Sequence, residues 1–287
     1  MLPFKLVYSN DYYLPIGVHV FPAQKYRYIH QRLLETGVAE PSDFLEPSLA
    51  SDEDVLLVHT PEYVHKLKTG TLSAREELQM EVPYSPELVR AFYLAAGGSI
   101  LAGQSALRDK VAFNIGGGFH HAFPDHGEGF CVIHDVAVAI RRLQRDKKIV
   151  RAMTVDCDVH QGNGTAAIFG GIREVNDPLP SKASVTGTAD DDYLAWLDNA
   201  LSSGLRQFEP ELICYIAGAD PYREDQLGGL ALTIEGLKRR DELMFRVART
   251  REIPVMVTFA GGYARRVEDT VTIHCNTVIA AKEVFGT

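Results

Sequence analysis

Short apolar runs alternate along the sequence with longer segments of helical spacing, and this alternation constrains the fold more than any other feature. Six of the runs are rich in β-branched residues, and several are apolar on both faces. Central strands of a parallel sheet have this composition because helices cover both sides of the sheet. The sequence therefore predicts strands at residues 4–8, 55–59, 111–115, 150–155, 212–217 and 255–260.

The segments between these runs have the spacing of helices. They predict α-helices at residues 22–35, 61–68, 86–107, 135–145, 191–208, 233–250 and 266–285. Thr60 is followed by proline and Thr233 by I-E-G, so both are predicted to be helix N-caps. No Ser/Gly linker, low-complexity tract or internal repeat interrupts the alternation. We therefore predict one α/β domain over residues 1–287, with a mostly parallel sheet flanked by helices.

Charge and hydropathy exclude two classes of partner. Asp and Glu outnumber Lys and Arg by 38 to 29, a net charge of -9, which argues against a protein that binds nucleic-acid phosphates through basic side chains. No apolar run approaches the roughly 18–20 residues of a membrane span, and the first residues lack the order of a signal peptide. We expect a cytoplasmic protein without a membrane partner, and a cationic ligand is compatible with its acidic charge. The sequence indicates no oligomeric state.

Polar residues gather directly after four of the predicted strands. Ligands of parallel α/β sheets bind beyond the carboxyl ends of the strands, so these positions are candidates for a functional site. The four segments read GGGFHH at 116–121, DCDVHQGNG at 156–164, GADP at 218–221 and GGY at 261–263.

The second of these segments has the spacing of a metal site. Asp158 and His160 lie two residues apart, so in extended backbone they share one face, which Asp156 also joins. With Asp220, this face would supply two carboxylates and one imidazole and leave an open position, as catalytic zinc sites do. Fe(II), Co(II) and Mn(II) also accept such ligands. The alternative is that the aspartates cap the following turn and that His160 is a hydrogen-bonded loop histidine.

The first segment places a histidine pair behind three glycines. Neither G-x-G-x-x-G nor Lys-Ser/Thr follows the strand, so a phosphate loop is not favoured. His120 and His121 can instead face one pocket from a tight turn. Imidazoles there suit acid–base catalysis because they titrate near neutral pH.

Four ordered motifs together resemble a known family. They are GGGFHHAFPDHGEGFC at 116–131, DCDVHQGNG at 156–164, AGADPYREDQLGG at 217–229 and AGGYA at 260–264. The set resembles the zinc-dependent histone deacetylase superfamily over almost the whole chain. H-Q-G-N-G, the R-R-D-E-L segment at 239–243 and the Gly-Gly-Tyr ending make it most similar to the class IV branch and its bacterial relatives. The resemblance implies the arginase/deacetylase fold, which agrees with the α/β prediction.

The resemblance also implies roles for individual residues. Asp158, His160 and Asp220 match zinc ligands, and Tyr263 matches the tyrosine that hydrogen-bonds the substrate carbonyl. Gly129 and Phe130 match the wall of the acyl-lysine tunnel. The bound metal of this family polarises the amide carbonyl and lowers the pKa of its water from about 15.7 towards 7. The implied activity is hydrolysis of an acetyl or longer acyl amide of lysine or a related amine.

The same resemblance separates the two histidines by their partners. His120 is expected to pair with Asp156, and His121 is expected to pair with Asn163. A carboxylate partner favours the imidazolium, whereas a neutral amide orients the ring without that charge. We therefore expect His121 to carry the catalytic proton, with His120 as its electrostatic support.

Three departures from the family pattern affect these expectations. His134 stands where many relatives have asparagine, and Ala260 replaces the first glycine of a three-glycine run. After Phe169, the strand and part of the loop found in relatives are expected to be missing, and residues 170–190 are predicted to be an irregular surface loop. In relatives that strand helps to bind a monovalent cation beside Asp156, so K⁺ binding is left open. Zn²⁺ is the expected catalytic metal, with Fe²⁺ as an alternative.

Two other functions stand beside this one. The binuclear manganese branch of the fold hydrolyses guanidino compounds but needs additional bridging aspartates, and this sequence supplies one ligand set. A non-catalytic acyl-ligand sensor would be indicated by loss of a ligand, of Tyr263 or of the histidine pair, and all are present. Tyr263 could also be a packing residue. His19, His59 and His126 either lie near the mouth or are solvated or capping histidines.

Overall fold

The structure is a computed structural model that describes residues 1–171, 175–176 and 186–286. The described part contains seven strands: β1 Lys5–Val7, β2 Phe44–Leu45, β3 Val111–Asn114, β4 Ala152–Asp156, β5 Val175–Asn176, β6 Leu212–Ile216 and β7 Val255–Thr258. They form one sheet in the order β2-β1-β3-β7-β6-β4-β5, and every neighbouring pair is parallel. The predicted α/β class and the parallel sheet are therefore confirmed.

The four central strands end at the same level of the sheet. Every residue of β3, β4, β6 and β7 is buried, as predicted from runs that are apolar on both faces. In the register, Ile216 lies opposite both Asp156 and Thr258, and Thr258 lies opposite Asn114. The segments that follow these strands consequently begin side by side, which brings their polar residues to one edge.

Ten α-helices occur in the described residues: α1 Lys25–Glu35, α2 Asp52–Val55, α3 Pro61–Thr69, α4 Ala74–Met80, α5 Pro86–Asp109, α6 Asp135–Arg145, α7 Asn163–Phe169, α8 Asp190–Gln207, α9 Ile234–Thr250 and α10 Val267–Phe285. All seven predicted helices are present. Thr60 accepts a hydrogen bond from the Tyr63 amide and Thr233 from the Gly236 amide, so both predicted N-caps are confirmed. Helix α5 packs on α6 and β3, while α9 packs on α8 and α10.

The predicted strand at residues 55–59 is wrong. Val55 ends helix α2, and the following residues form turns that lead into α3. Ser51 caps α2 through the Asp54 amide, and Asp54 accepts a hydrogen bond from the Ser51 amide in return. This reciprocal cap and the three acidic residues in the first turn stabilise a short helix that ends at Val55. The apolar residues from 55 onwards do not reveal this helix.

Two edge strands were not predicted. Strands β2 and β5 have two residues each, too few for a repeating pattern. Strand β5 pairs with β4 and lies within residues 170–190. For these residues the sequence predicted an irregular loop in place of a strand. The prediction is wrong at Val175–Asn176. The rest of the predicted loop falls largely on residues 172–174 and 177–185, which are outside the described residues. No helix in the described part of the chain is long and apolar enough to cross a membrane.

Candidate active site

Three predicted ligands meet beyond the ends of β4 and β6. Ligand atoms of Asp158, His160 and Asp220 all lie within 4.8 Å of one another. His160 Nδ1 is 3.0 Å from Asp158 Oδ1 and 3.1 Å from Asp220 Oδ2. Both aspartates are buried, whereas the His160 side chain is 34% exposed. The cluster is thus open on the side of the histidine.

The electrostatics of this cluster favour a cation at its centre. Burial raises the pKa of Asp220, and the neighbouring Asp158 carboxylate raises it further, to about 7. Burial lowers the pKa of His160, but hydrogen bonds to Asp158 and Asp220 outweigh that effect and raise it to about 11. Two crowded carboxylates and one imidazole are a donor set that suits Zn²⁺ or Fe²⁺. The residues present therefore fit a divalent metal.

Backbone amides hold the two carboxylates in place. Asp158 accepts hydrogen bonds from the Gly261 amide at 2.8 Å and the His160 amide at 2.9 Å, and Asp220 accepts one from the Val159 amide at 2.9 Å. A Cβ at Gly261 would lie 2.2 Å from Asp220 Oδ2 and 2.5 Å from Asp158 Oδ2. Only glycine permits this approach of the β7 end to the cluster.

The histidine pair lies beside the cluster with the expected partners. His120 Nδ1 is 2.6 Å from Asp156 Oδ2, and His121 Nδ1 is 2.6 Å from Asn163 Oδ1. The two rings are 4.2 Å apart between centroids. The sequence pattern placed Asp156 on the same strand face as Asp158 and His160. In the structure Asp156 contacts His120 and is outside the metal cluster. Burial, aided by the neighbouring charge of His120, lowers the pKa of His121 to about 4, so its ring is neutral at pH 7.

The loop that carries the histidine pair is fixed by a buried carboxylate. Asp135, the first residue of α6, accepts hydrogen bonds from the Gly118 amide at 3.1 Å and the Phe119 amide at 2.9 Å. Ser99 donates a third hydrogen bond to Asp135 at 2.5 Å. A rigid helix thus sets the position of the turn from which both imidazoles project.

Tyr263 approaches the cluster from the end of β7. Its backbone amide donates to Asp225 Oδ2 at 2.6 Å, and its carbonyl accepts from the Gln226 side chain at 2.9 Å. The ring lies 6.2 Å from the His160 ring. Burial and the charges of Asp158 and Asp220 raise the pKa of the phenol well above 10, so the hydroxyl keeps its proton. Tyr263 is therefore a hydrogen-bond donor beside the cluster.

Gly129 and Phe130 form one wall of the pocket through an unusual turn. Both have positive φ, 53° and 68°, and the flanking Glu128 and Cys131 exchange backbone hydrogen bonds. Two left-handed residues between a hydrogen-bonded pair are the geometry of a tight hairpin turn, in which a bulky residue is uncommon. The Phe130 ring is 6.0 Å from that of Tyr263. An aromatic slot therefore leads towards the cluster.

Most of the predicted site residues line the same pocket. Among the lining residues are His120, His121, Gly129, Phe130, Asp158 and Tyr263. His160 and Asp220 complete the metal cluster, and Asp156 and Asn163 lie behind the histidines. The structure brings all ten residues together.

Three residues at the site were not found by sequence reasoning. Lys25 is fully buried, and its ammonium donates to the carbonyl of Ala260, three residues before Tyr263. Burial lowers the pKa of Lys25 to about 8, although the charges of Asp220, Asp158 and Asp225 act to raise it. Asp225 holds the Tyr263 backbone, and Glu128 contacts Asn163. Their partners are distant in sequence, and no spacing rule could have identified them.

The four other histidines that the sequence analysis named have different contacts. His19 packs edge-on against Phe130 at 4.7 Å, so it lies by the pocket wall. His59 is buried and accepts a hydrogen bond from the His134 amide. His134 caps α6 through Nδ1 and contacts Thr165 at 2.9 Å through Nε2. His126 lies 2.8 Å from Asp125.

The fold is shared with a protein domain of known crystal structure. The crystal structure of the HDA15 HD domain matches with a TM-score of 0.81, over 98% of this chain and 88% of that one. The two sequences are 22% identical, so the likeness concerns the fold. It confirms the predicted arginase/deacetylase fold.

Sequence relatives then define the family. The family model described as histone deacetylase domain matches residues 19–176 and 170–278. An uncharacterized protein of Picosynechococcus sp. is 39% identical over 298 residues, 98% of this chain and 99% of its own length. Histone deacetylase 2 of Arabidopsis thaliana is 34% identical over 288 residues, 91% of this chain and 74% of that protein. The chain belongs to the histone deacetylase family, which supports an enzyme with deacetylase activity.

Proposed function

We propose that this protein is a zinc-dependent deacylase of the class IV type. It removes acetyl or longer acyl groups from lysine or a related amine, and residues 1–287 form its single catalytic domain. The observation that carries the proposal is the shared pocket, in which the neutral imidazole of His121 and the protonated phenol of Tyr263 lie beside the Asp-His-Asp cluster. Amide hydrolysis needs a base, an oxyanion donor and a Lewis acid; the imidazole and the phenol would supply the first two, and the cluster would hold the metal that supplies the third.

The cluster of Asp158, His160 and Asp220 would hold the metal. When bound, Zn²⁺ would polarise the acyl carbonyl and make water a nucleophile at neutral pH. The remaining chemistry belongs to side chains of this chain, each of which has a defined position in the pocket.

His121 is the proposed base and acid. Its low pKa keeps it unprotonated at pH 7, so Nε2 can accept a proton from the attacking water. The same ring then delivers that proton to the leaving amine, which must depart as a neutral molecule. His120, bonded to Asp156, supports this transfer through its charge and its hydrogen bonds.

Tyr263 is the proposed oxyanion donor. Its hydroxyl remains protonated, and Asp225 and Gln226 hold the backbone of the residue that carries it. A donor arranged in advance for the developing negative charge is typically worth about 3–4 kcal/mol. Gly129 and Phe130 would guide the acyl chain along the aromatic slot.

Activity on a panel of amides tests the proposal. We would measure kcat/KM for acetyl, butyryl and myristoyl lysine peptides and for acetylated polyamines, after reconstitution with Zn²⁺ or Fe²⁺ and with a chelator control. We expect turnover that the chelator abolishes and Zn²⁺ restores. Adding K⁺ to the reconstituted enzyme tests the open question of a monovalent site.

The panel also separates the alternatives. Metal-bound protein with no turnover of any acylated amine would favour the acyl-ligand sensor. Hydrolysis of a guanidino compound with two bound manganese ions would favour the binuclear branch. Equal rates on every chain length would contradict selection by the slot.

A further inference from the structure

A third polar group continues the contact between His121 and Asn163. Asn163 Nδ2 donates to Glu128 Oε1 at 2.5 Å, while its Oδ1 faces His121 Nδ1 at 2.6 Å. The other carboxylate oxygen, Oε2, accepts from Gln79 Nε2 at 3.3 Å and lies 3.7 Å from His126 Nε2. The side chains of His121, Asn163 and Glu128 form one line from the pocket to the partly exposed Glu128.

The chemistry of the carboxylate fixes the direction of this line. An ionised glutamate only accepts hydrogen bonds, so Glu128 must take the NH₂ end of the Asn163 amide. The amide oxygen is then left for His121, and the Gly164 amide also donates to it at 3.0 Å. Both contacts favour the same orientation of the amide.

The orientation of the amide in turn fixes the proton on the imidazole. With an oxygen facing it, His121 Nδ1 must be the protonated nitrogen, so Nε2 keeps its lone pair. A reversed amide would offer an N–H to Nδ1 and would favour the tautomer protonated at Nε2. That tautomer could not accept a proton from water at Nε2.

We propose that Glu128 is a positioning residue that selects the catalytic tautomer of His121 through Asn163. This inference rests on the proposed function, because it deepens the role given there to His121. Glu128 does not touch the substrate in this role. It acts as the acceptor that prevents the Asn163 amide from turning over.

The wall of the pocket should survive substitution of this side chain. Glu128 contributes to the turn before Phe130 through its backbone, by hydrogen bonds with Cys131 at 3.0 and 2.9 Å. Its side chain is 32% exposed and takes no part in those bonds. Replacement of the carboxylate therefore tests the amide orientation separately from the Gly129–Phe130 turn.

Two variants and one control make the test. Glu128→Ala removes the acceptor, whereas Glu128→Gln retains an oxygen that can accept from Asn163. Glu77→Ala, an exposed glutamate on α4, is the matched control. Zinc-loaded protein with isotope-labelled histidine gives the tautomer of each ring from nitrogen–proton correlation spectra, and His121→Asn assigns the signal. Steady-state kinetics with an acetyl-lysine peptide gives kcat and KM.

We expect the parent and Glu77→Ala to show His121 protonated at Nδ1, and Glu128→Gln, whose amide can either accept or donate, to lie between the parent and Glu128→Ala. Glu128→Ala should show a mixture of tautomers and a kcat about 10-fold lower at unchanged KM, the size typical of lost outer hydrogen bonds at a metal site. A single Nδ1-protonated tautomer with parental kcat in Glu128→Ala would overturn the inference. A lower kcat in Glu128→Ala with His121 still protonated only at Nδ1 would overturn it too, since the amide orientation would not be the cause.

The two readouts keep this inference distinct from the proposed function. A parent protein that hydrolyses no acylated amine refutes the deacylase proposal, while the spectra still show whether Glu128 sets the tautomer. An active parent whose spectrum is insensitive to Glu128→Ala refutes only the role of Glu128.

Discussion

The buried guanidinium of Arg240 donates to the Gly218 carbonyl oxygen at 2.7 Å. The same nitrogen lies 3.4 Å from the carbonyl of Cys157, and Arg240 Nε donates to Asp241 at 2.9 Å. Cys157 precedes the ligand Asp158, and Gly218 comes two residues before the ligand Asp220. One fully buried cation on α9 therefore ties together the two segments that carry the metal cluster.

Substitution of Arg240 should loosen the cluster. Arg240→Met leaves Asp241 buried without its cation, and we expect it to lower the free energy of unfolding by about 3–5 kcal/mol. Arg240→Lys keeps the charge but loses the planar set of donors, and we expect a folded protein with about 10-fold weaker zinc binding. Denaturant unfolding and competitive zinc titration measure the two effects. Arg239→Lys, on the exposed side of α9, is the control, and parental zinc affinity in Arg240→Lys would limit Arg240 to support of the fold.

Removal of the Tyr263 hydroxyl should affect catalysis and leave metal binding unchanged. Tyr263→Phe keeps the ring among its aromatic neighbours, and the backbone contacts to Asp225 and Gln226 do not involve the hydroxyl. We expect kcat to fall by about 10²–10³, the usual cost of one oxyanion donor. Stopped assays give kcat, and metal analysis gives the zinc content. A variant with parental kcat would identify Tyr263 as a packing residue.

Replacement of the amide behind His121 by a carboxylate should shift the pH profile. Asn163→Asp places a negative charge beside Nδ1, which stabilises the imidazolium, so the lower pKa of the pH–rate profile should rise. Activity on the acid side would then be lost at higher pH than in the parent. Because the introduced carboxylate would also face Glu128, the profile should be measured in a Glu128→Gln background as well. An unchanged lower pKa in both backgrounds would contradict the pairing of His121 with residue 163.

Stability at acid pH should depend on His59. Burial lowers the pKa of His59 from 6.5 to about 4, so between these values the unfolded chain binds a proton that the folded chain does not. Stability should therefore fall as the pH drops from 6.5 to 4, by about 3 kcal/mol at about 1.36 kcal/mol per pKa unit. His59→Gln keeps an acceptor for the His134 amide and should reduce this dependence. Thermal unfolding across this range measures it, with the exposed His65→Gln as control, and parallel curves for parent and His59→Gln would refute the assignment.

The sequence was sufficient to predict the central strands and the long helices because their patterns extend over enough residues. Strands β3, β4, β6 and β7 are buried on both faces, which leaves an unbroken apolar run. Strands β2 and β5 have two residues each and leave no such signal. At residues 55–59 the apolar run suggested a strand. The helix cap at Ser51 lies outside that run, and the residues after Val55 form turns.

The candidate site was predictable where its residues follow strands directly. Asp158, His160, Asp220 and Tyr263 come at strand ends, and parallel order brings such ends together. Glu128 and Lys25 act on partners 35 and 235 residues away, and only the folded chain reveals those contacts. The turn at Gly129–Phe130 was equally hidden, since phenylalanine is not a residue that indicates a left-handed conformation.

Strands β4 and β6 pair directly, so the sheet itself connects the two segments that carry the metal ligands. Asp156 lies opposite Ile216, and the backbone from each strand to its ligand is short, so the spacing of Asp158 and Asp220 is set by strand-to-strand hydrogen bonds. Two ligands that are far apart in the sequence are thereby spaced by adjacent strands, so the metal cluster depends on the integrity of the centre of the sheet.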